Sequence, residues 1–215
     1  MIIIMTINKY PDNYKYISPK FRGYVDCILT SPDSRPLIEK MCDRTPHEML
    51  HHILPRSVAV EERYAGWYEE GLASYISILC KEDMGLVNVK EERKEALDAF
   101  LSEGIRSELW TWHGIYNKEM KYPGNSKDEI DMYWKKIDDG YRASLGAFLY
   151  YERAIGRKRL FETVKTILNC GFNNQNEAFY KKLEATTGVN IRHPSNSVTN
   201  RMCPYIQDKQ EPPCP

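Results

Sequence analysis

Residues 47–51 read His47-Glu48-Met49-Leu50-His51. On an α-helix, positions four apart lie one above the other on the same face, so both imidazoles can reach a single ion. Glu48 sits one step around that helix, close to where a metal-bound water would stand, without being a ligand itself. Catalytic zinc takes three protein ligands and keeps a fourth position for water, so two histidines are not enough. The third donor is sought on the next helical segment, where Trp67-Tyr68-Glu69-Glu70-Gly71-Leu72-Ala73-Ser74-Tyr75 offers Glu69 and Glu70. Eighteen residues separate His51 from Glu70. The chemistry such a set performs is metal-assisted hydrolysis with a carboxylate as general base.

Each of these residues also has a plainer reading. The pentapeptide alone occurs on ordinary polar helix faces. Thr45-x-x-Glu48 fits a capping box, in which the glutamate bonds back to the Thr45 backbone and competes with the base role for one carboxylate. His52 could support a ligand from behind, but reads first as solvent-facing or packed. Glu69 reads as solvated, or as an acceptor that orients a ligand. Trp67 and Tyr75 read as packing residues. Trp110, Trp112, Trp134, Tyr116 and Tyr133 form an aromatic-rich group, core by default, part of which is free to line a cleft.

Taken together, the motifs resemble the gluzincin zinc peptidases of the aminopeptidase N and leukotriene hydrolase type. In that family a Trp-x-x-Glu-Gly-x-Ala segment follows His-Glu-x-x-His at this interval, and Trp67 through Ala73 is similar to it. The resemblance implies a Zn2+ site with ligands His47, His51 and Glu70, the family glutamate falling on Glu70 rather than Glu69. Tyr141 through Gly156 resembles the family's Tyr-x-Lys-Gly segment followed by an apolar helix and a glycine. Tyr141 would then take the role of the family tyrosine, which stabilises the tetrahedral oxyanion, although Ala143 and Ser144 stand where the family has Lys and Gly. Arg159-Leu160-Phe161, Asn176 through Tyr180, and Thr187-Gly188 look like the closing helices of the family, so the likeness spans about residues 40–190. The exopeptidase signature Gly-x-Met-x-Asn is absent. Gly23-Tyr24-Val25-Asp26-Cys27 lies roughly in its place, with Asp26 as a conceivable substitute amine-binding acid. Recognition of a free α-amino group is therefore not implied. The family's large N-terminal β-domain has no counterpart either, and the expected unit is a minimal or truncated catalytic domain.

The elements that must position these residues follow from pattern. Ile2–Ile7 and Phe21–Thr30 have strand character, separated by Pro and Asn turn signals. Ser31-Pro32-Asp33-Ser34-Arg35-Pro36 marks a turn and a helix entry. From about residue 36 the chain reads as helical. Thr45-Pro46 is a start signal, because threonine caps free N–H groups and proline suits the first helical position. Pro55 ends that helix. A second helix is expected over about 61–80, with Tyr64, Trp67, Leu72, Tyr75, Ile76 and Leu79 at helical spacing. Further helices are expected at about 90–120, 127–155, 157–169 and 175–187, burying Leu145, Phe148, Leu149, Tyr151, Phe161, Val164, Ile167, Phe179 and Leu183. The expected fold is mainly α with a small N-terminal β element: 1–35 the β element, 36–85 the zinc-binding helices, 86–191 a C-terminal helical lobe. Residues 192–215 read as an irregular tail.

Composition sets the remaining expectations. The 215 residues are 42% hydrophobic, enough for one compact core or two small lobes. Lys+Arg and Asp+Glu are both 30, and no basic run is visible, so neither a nucleic-acid nor a membrane partner is expected. Met1 through Ile7 is apolar but too short for a signal-peptide core, and no stretch is long and apolar enough to span a bilayer. A cytoplasmic location with the six cysteines as free thiols is the default. The expected partner is a peptide or protein substrate. Two alternatives stay open: a non-catalytic interaction module on the same fold, and an epoxide or ester hydrolase using the same zinc site.

Overall fold

The computed structural model describes residues 35–53, 66–86, 89–110, 112, 126–169 and 177–194. The expected N-terminal strands, Asp26 and Tyr116 lie outside these, as does the tail beyond residue 194. Every regular element among the described residues is an α-helix. They are α1 (Leu37–Ile53), α2 (Gly66–Asp83), α3 (Val89–Leu101), α4 (Glu103–Leu109), α5 (Lys127–Ile155), α6 (Arg157–Asn169) and α7 (Glu177–Thr187). The mainly helical expectation is met. None of these helices is long and apolar enough to cross a membrane.

Two boundaries differ from the sequence reading. Thr45-Pro46 does not start a helix, because α1 runs through both residues, with Pro46 inside it. The competing influence is packing: Met41 and Cys42 are buried, and Asp43 receives Arg35 at 3.2 Å and Lys81 of α2 at 2.7 Å. These contacts extend the helix backwards past its local start signal. The helix expected at about 90–120 is broken after Leu101 into α3 and α4. Ser102 takes an extended backbone (φ −66°, ψ 116°) at the junction.

The long helix α5 is the centre of the bundle. Its buried stretch, Gly140 to Glu152, packs against α2 on one side and α3 on another. Both approaches depend on residues without side chains. A Cβ on Gly71 of α2 would lie 2.5 Å from the Ser144 carbonyl oxygen, and one on Gly146 would collide with the Ala96 backbone of α3. Gly156, at φ 81°, takes a left-handed conformation open to glycine and ends α5 so that α6 can turn back.

Aromatic rings fill the space between these helices. Trp67, fully buried, is surrounded by Tyr68, Trp110, Phe148, Phe179 and Tyr180, and its indole N–H donates to the Tyr180 hydroxyl at 3.2 Å. Burying such rings is worth roughly 1.5–3 kcal/mol each in transfer terms. Of the expected core, Phe161 is a miss at 38% exposed. On α6 the buried face is Leu160, Thr163, Val164 and Ile167, and Phe161 stands one step off it. Trp134 is likewise outside, at 53% exposed, because no residue of 127–136 is buried.

A charge cluster ties four helix ends together at the far end of α2. Buried Glu152 of α5 accepts from Arg93 of α3 and from Arg157 of α6 (2.7 Å), while Glu82 of α2 accepts from the same two arginines at 2.8 and 3.1 Å. The charges are desolvated but mutually paired, which is the condition for tolerating them. Beyond α7 the chain enters a turn in which Arg192 bonds Glu177 at 2.6 Å and lies over the Tyr180 ring.

Gly71→Ala is expected to lower stability by about 1–3 kcal/mol, since the new methyl meets a backbone carbonyl that no rotamer change can move aside. Urea unfolding measures it, and a variant as stable as the parent would contradict the close α2–α5 approach.

Candidate metal centre

The first two helices run antiparallel. Asp43 of α1 meets Lys81 of α2 at one end, and His51 meets Glu69 at the other. This pairing sets the last two turns of α1 against the first turns of α2, where Glu69 and Glu70 also sit favourably at the positive end of the helix dipole. Trp67 pins that end of α2 into the core three residues before Glu70, and Gly71 lets the helix lie flush on α5 one residue after it.

His47 and His51 stand one turn apart with ring centroids 4.9 Å apart. Between them comes the Glu70 carboxylate, 7% exposed. Its Oε2 is 2.9 Å from His47 Nε2 and 3.4 Å from His51 Nε2. One donor atom from each of the three residues lies within 4.8 Å of the others. Zinc bonds of about 2.0–2.1 Å at tetrahedral angles separate neighbouring donors by about 3.3 Å. The spacing on His51 matches that edge, and the spacing on His47 is shorter by the amount expected for a direct N–H to carboxylate bond. The donor set, two imidazoles and one carboxylate, suits Zn2+ with a position left over for water.

The charges match this arrangement. Burial works against a charged His51 ring, but bonds to Glu69 and Glu70 outweigh it and push its pKa up to about 10. Burial also raises Glu70, yet the hydrogen bonds from His47 and His51 prevail and hold it down at about 2. The charged His51 ring thus offsets the ionised Glu70, and a divalent cation entering this triad would take the place of the imidazole proton.

The remaining predicted residues fall around this centre. Glu48 lies on α1 between the two histidines, partly exposed. Thr45 is well inside α1, so the helix offers no free N-terminal N–H there and the capping-box reading of Glu48 falls away. The half-buried Tyr141 ring is 6.2 Å from that of His47, and its other side meets Trp112 edge-on at 5.0 Å. Trp112 is buried over Gly140, where any Cβ would fall inside the indole. A shallow cavity of about 230 Å³, lined by Ile105, Leu109, Met132 and Gly140, lies against Trp112 and does not include the three donors. Trp67 and Tyr75 are core residues with no exposure. The His52 side chain is outside the described set. Sequence patterns missed the support Trp112 gives Tyr141, because Trp112 follows α4 in an irregular segment where periodicity carries no signal. Compared with protein families, curated proteins and solved structures, the chain has no match.

A Zn2+ ion taken up by this triad would have to displace a proton from His51, whose pKa is raised, so its apparent affinity should rise with pH, by about tenfold per unit. Chelator competition at pH 6, 7 and 8 checks the sign. An affinity independent of pH over that range would contradict the charged His51.

Proposed function

We propose that this protein is a zinc-dependent peptidase of the gluzincin kind, hydrolysing peptide bonds in a peptide or protein substrate. The observation that carries the reading is the convergence of His47 Nε2 and His51 Nε2 on one Glu70 oxygen at 2.9 and 3.4 Å. Exposed acidic clusters are common without a metal, but a buried carboxylate held between two imidazoles on adjacent helices is costly unless paired. The resemblance of residues 47–51 and 67–73 to the gluzincin motifs supports the same ligands.

Bound Zn2+ would supply a Lewis acid that polarises the scissile carbonyl and lowers the pKa of water towards neutrality. Glu48, on the same helix as both imidazoles, accepts the proton of the attacking water and passes it to the leaving nitrogen. The Tyr141 hydroxyl donates to the carbonyl oxygen as negative charge develops on it, a role for which its proximity to His47 and its support by Trp112 are suited. Being held by packing on Trp112, the phenol loses little freedom on engaging substrate.

Glu48→Gln should abolish turnover of a peptide library while the zinc content of the protein is unchanged. Wild-type turnover by this variant would remove Glu48 as the base. Tyr141→Phe should lower kcat by about 10²–10³ with little change in KM, the cost of one lost oxyanion donor. An unchanged kcat would return Tyr141 to a packing role. Absence of chelator-sensitive peptide cleavage by zinc-loaded wild type would favour the interaction-module alternative, and cleavage of epoxides or esters only would favour the other.

A further inference from the structure

We infer that Glu69 is the positioning residue of the metal centre: it grips His51 at Nδ1 and so presents Nε2 to the ion. This rests on the metal-binding reading of the site but not on the peptidase reading.

Glu69 and Glu70 are neighbours in the first turns of α2, and their carboxylates reach the two ends of one imidazole. Glu69 Oε1 accepts from His51 Nδ1, while Glu70 Oε2 faces His51 Nε2 at 3.4 Å. When an incoming ion displaces the Nε2 proton, a ring held at Nδ1 by a carboxylate keeps its remaining proton there, which leaves the lone pair on Nε2, the nitrogen that faces Glu70. Among the described residues no carboxylate stands at Nδ1 of His47, whose only acidic partner is Glu70 through Nε2. The two histidines are therefore unequal: His51 has a carboxylate at each ring nitrogen, whereas His47 is held by Glu70 alone. The Glu69 side chain is 19% and the His51 side chain 22% exposed, enough shielding for the pair to hold its geometry better than a surface ion pair does. Glu69 also adds a second negative charge behind the donor set without occupying a coordination position, which strengthens a cation site through the ring.

The test compares wild type, E69A and E69Q, measuring the Kd for Zn2+ by chelator competition at fixed pH and the tautomer of His51 by nitrogen NMR of the zinc-loaded protein. E69A should bind Zn2+ about 10–100-fold more weakly. E69Q keeps an oxygen that accepts from Nδ1–H and should recover part of that loss. In wild type the His51 proton should be on Nδ1. E69A binding as tightly as wild type, E69Q binding no better than E69A, or a His51 proton on Nε2 would each overturn the assignment. If E69A fails to fold, the near-isosteric E69Q and the wild-type tautomer still decide it. Failure of wild type itself to bind Zn2+ would overturn the metal reading and this inference with it, a result distinct from a wild type that binds tightly with or without Glu69.

Discussion

A negative charge buried between two helices is the constraint around which this molecule is arranged. Glu70 is nearly removed from water, and a lone carboxylate there would be several kcal/mol out of balance. Two imidazoles from α1 compensate it, which requires α1 and α2 to be antiparallel, in one register and close. Asp43–Lys81 fixes that register at the opposite end of the pair. The position of α2 is in turn set by α5 through the Gly71–Ser144 approach and by the rings around Trp67. Site and core are thus one structure, with Trp67, Glu70 and Gly71, at i, i+3 and i+4 on one side of α2, serving packing, charge and approach respectively.

The same helix carries a second charge cluster at its other end. Around Glu82, two arginines and two glutamates join α2, α3, α5 and α6. The two clusters differ in kind. Guanidinium groups stay charged at any accessible pH and make a permanent clasp, whereas imidazoles exchange protons and can exchange them for a metal. Placing the permanent pairs away from the exchangeable ones leaves the scaffold insensitive to the chemistry at the site.

Much of this was legible in the sequence, for identifiable reasons. Helices α5, α6 and α7 follow from long runs with clean helical spacing, bounded by Gly156 and Gly188. The four-residue spacing put His47 and His51 on one helix face, while the choice of Glu70 over Glu69 came from the resemblance of the Trp67–Ala73 segment to the gluzincin motif. Spacing on one helix dictates geometry directly, and so His47 and His51 were the firmest reading. Other features were not legible because they are decided by contacts between distant segments. The start of α1 overrides the Thr45-Pro46 signal through burial of Met41 and Cys42. Phe161 looks apolar enough for the core but sits one helical step away from it. The choice between a solvated Glu69 and one engaged on His51 depends on the register of two helices, which no local pattern contains.

Pro46 has a mechanical consequence for the ligands that follow it. It has no N–H to give the Cys42 carbonyl, so one rung of the α1 ladder is missing immediately ahead of His47. A helix that lacks one rung is more easily bent there than elsewhere, which divides α1 mechanically into a segment before Pro46 and one after it. The first segment is clamped to α2 through Asp43, and the second bears both imidazoles. The separation between the imidazoles is then a property of one segment, while their distance from the Glu70 carboxylate is a joint angle that can relax by a fraction of an ångström without either segment unwinding.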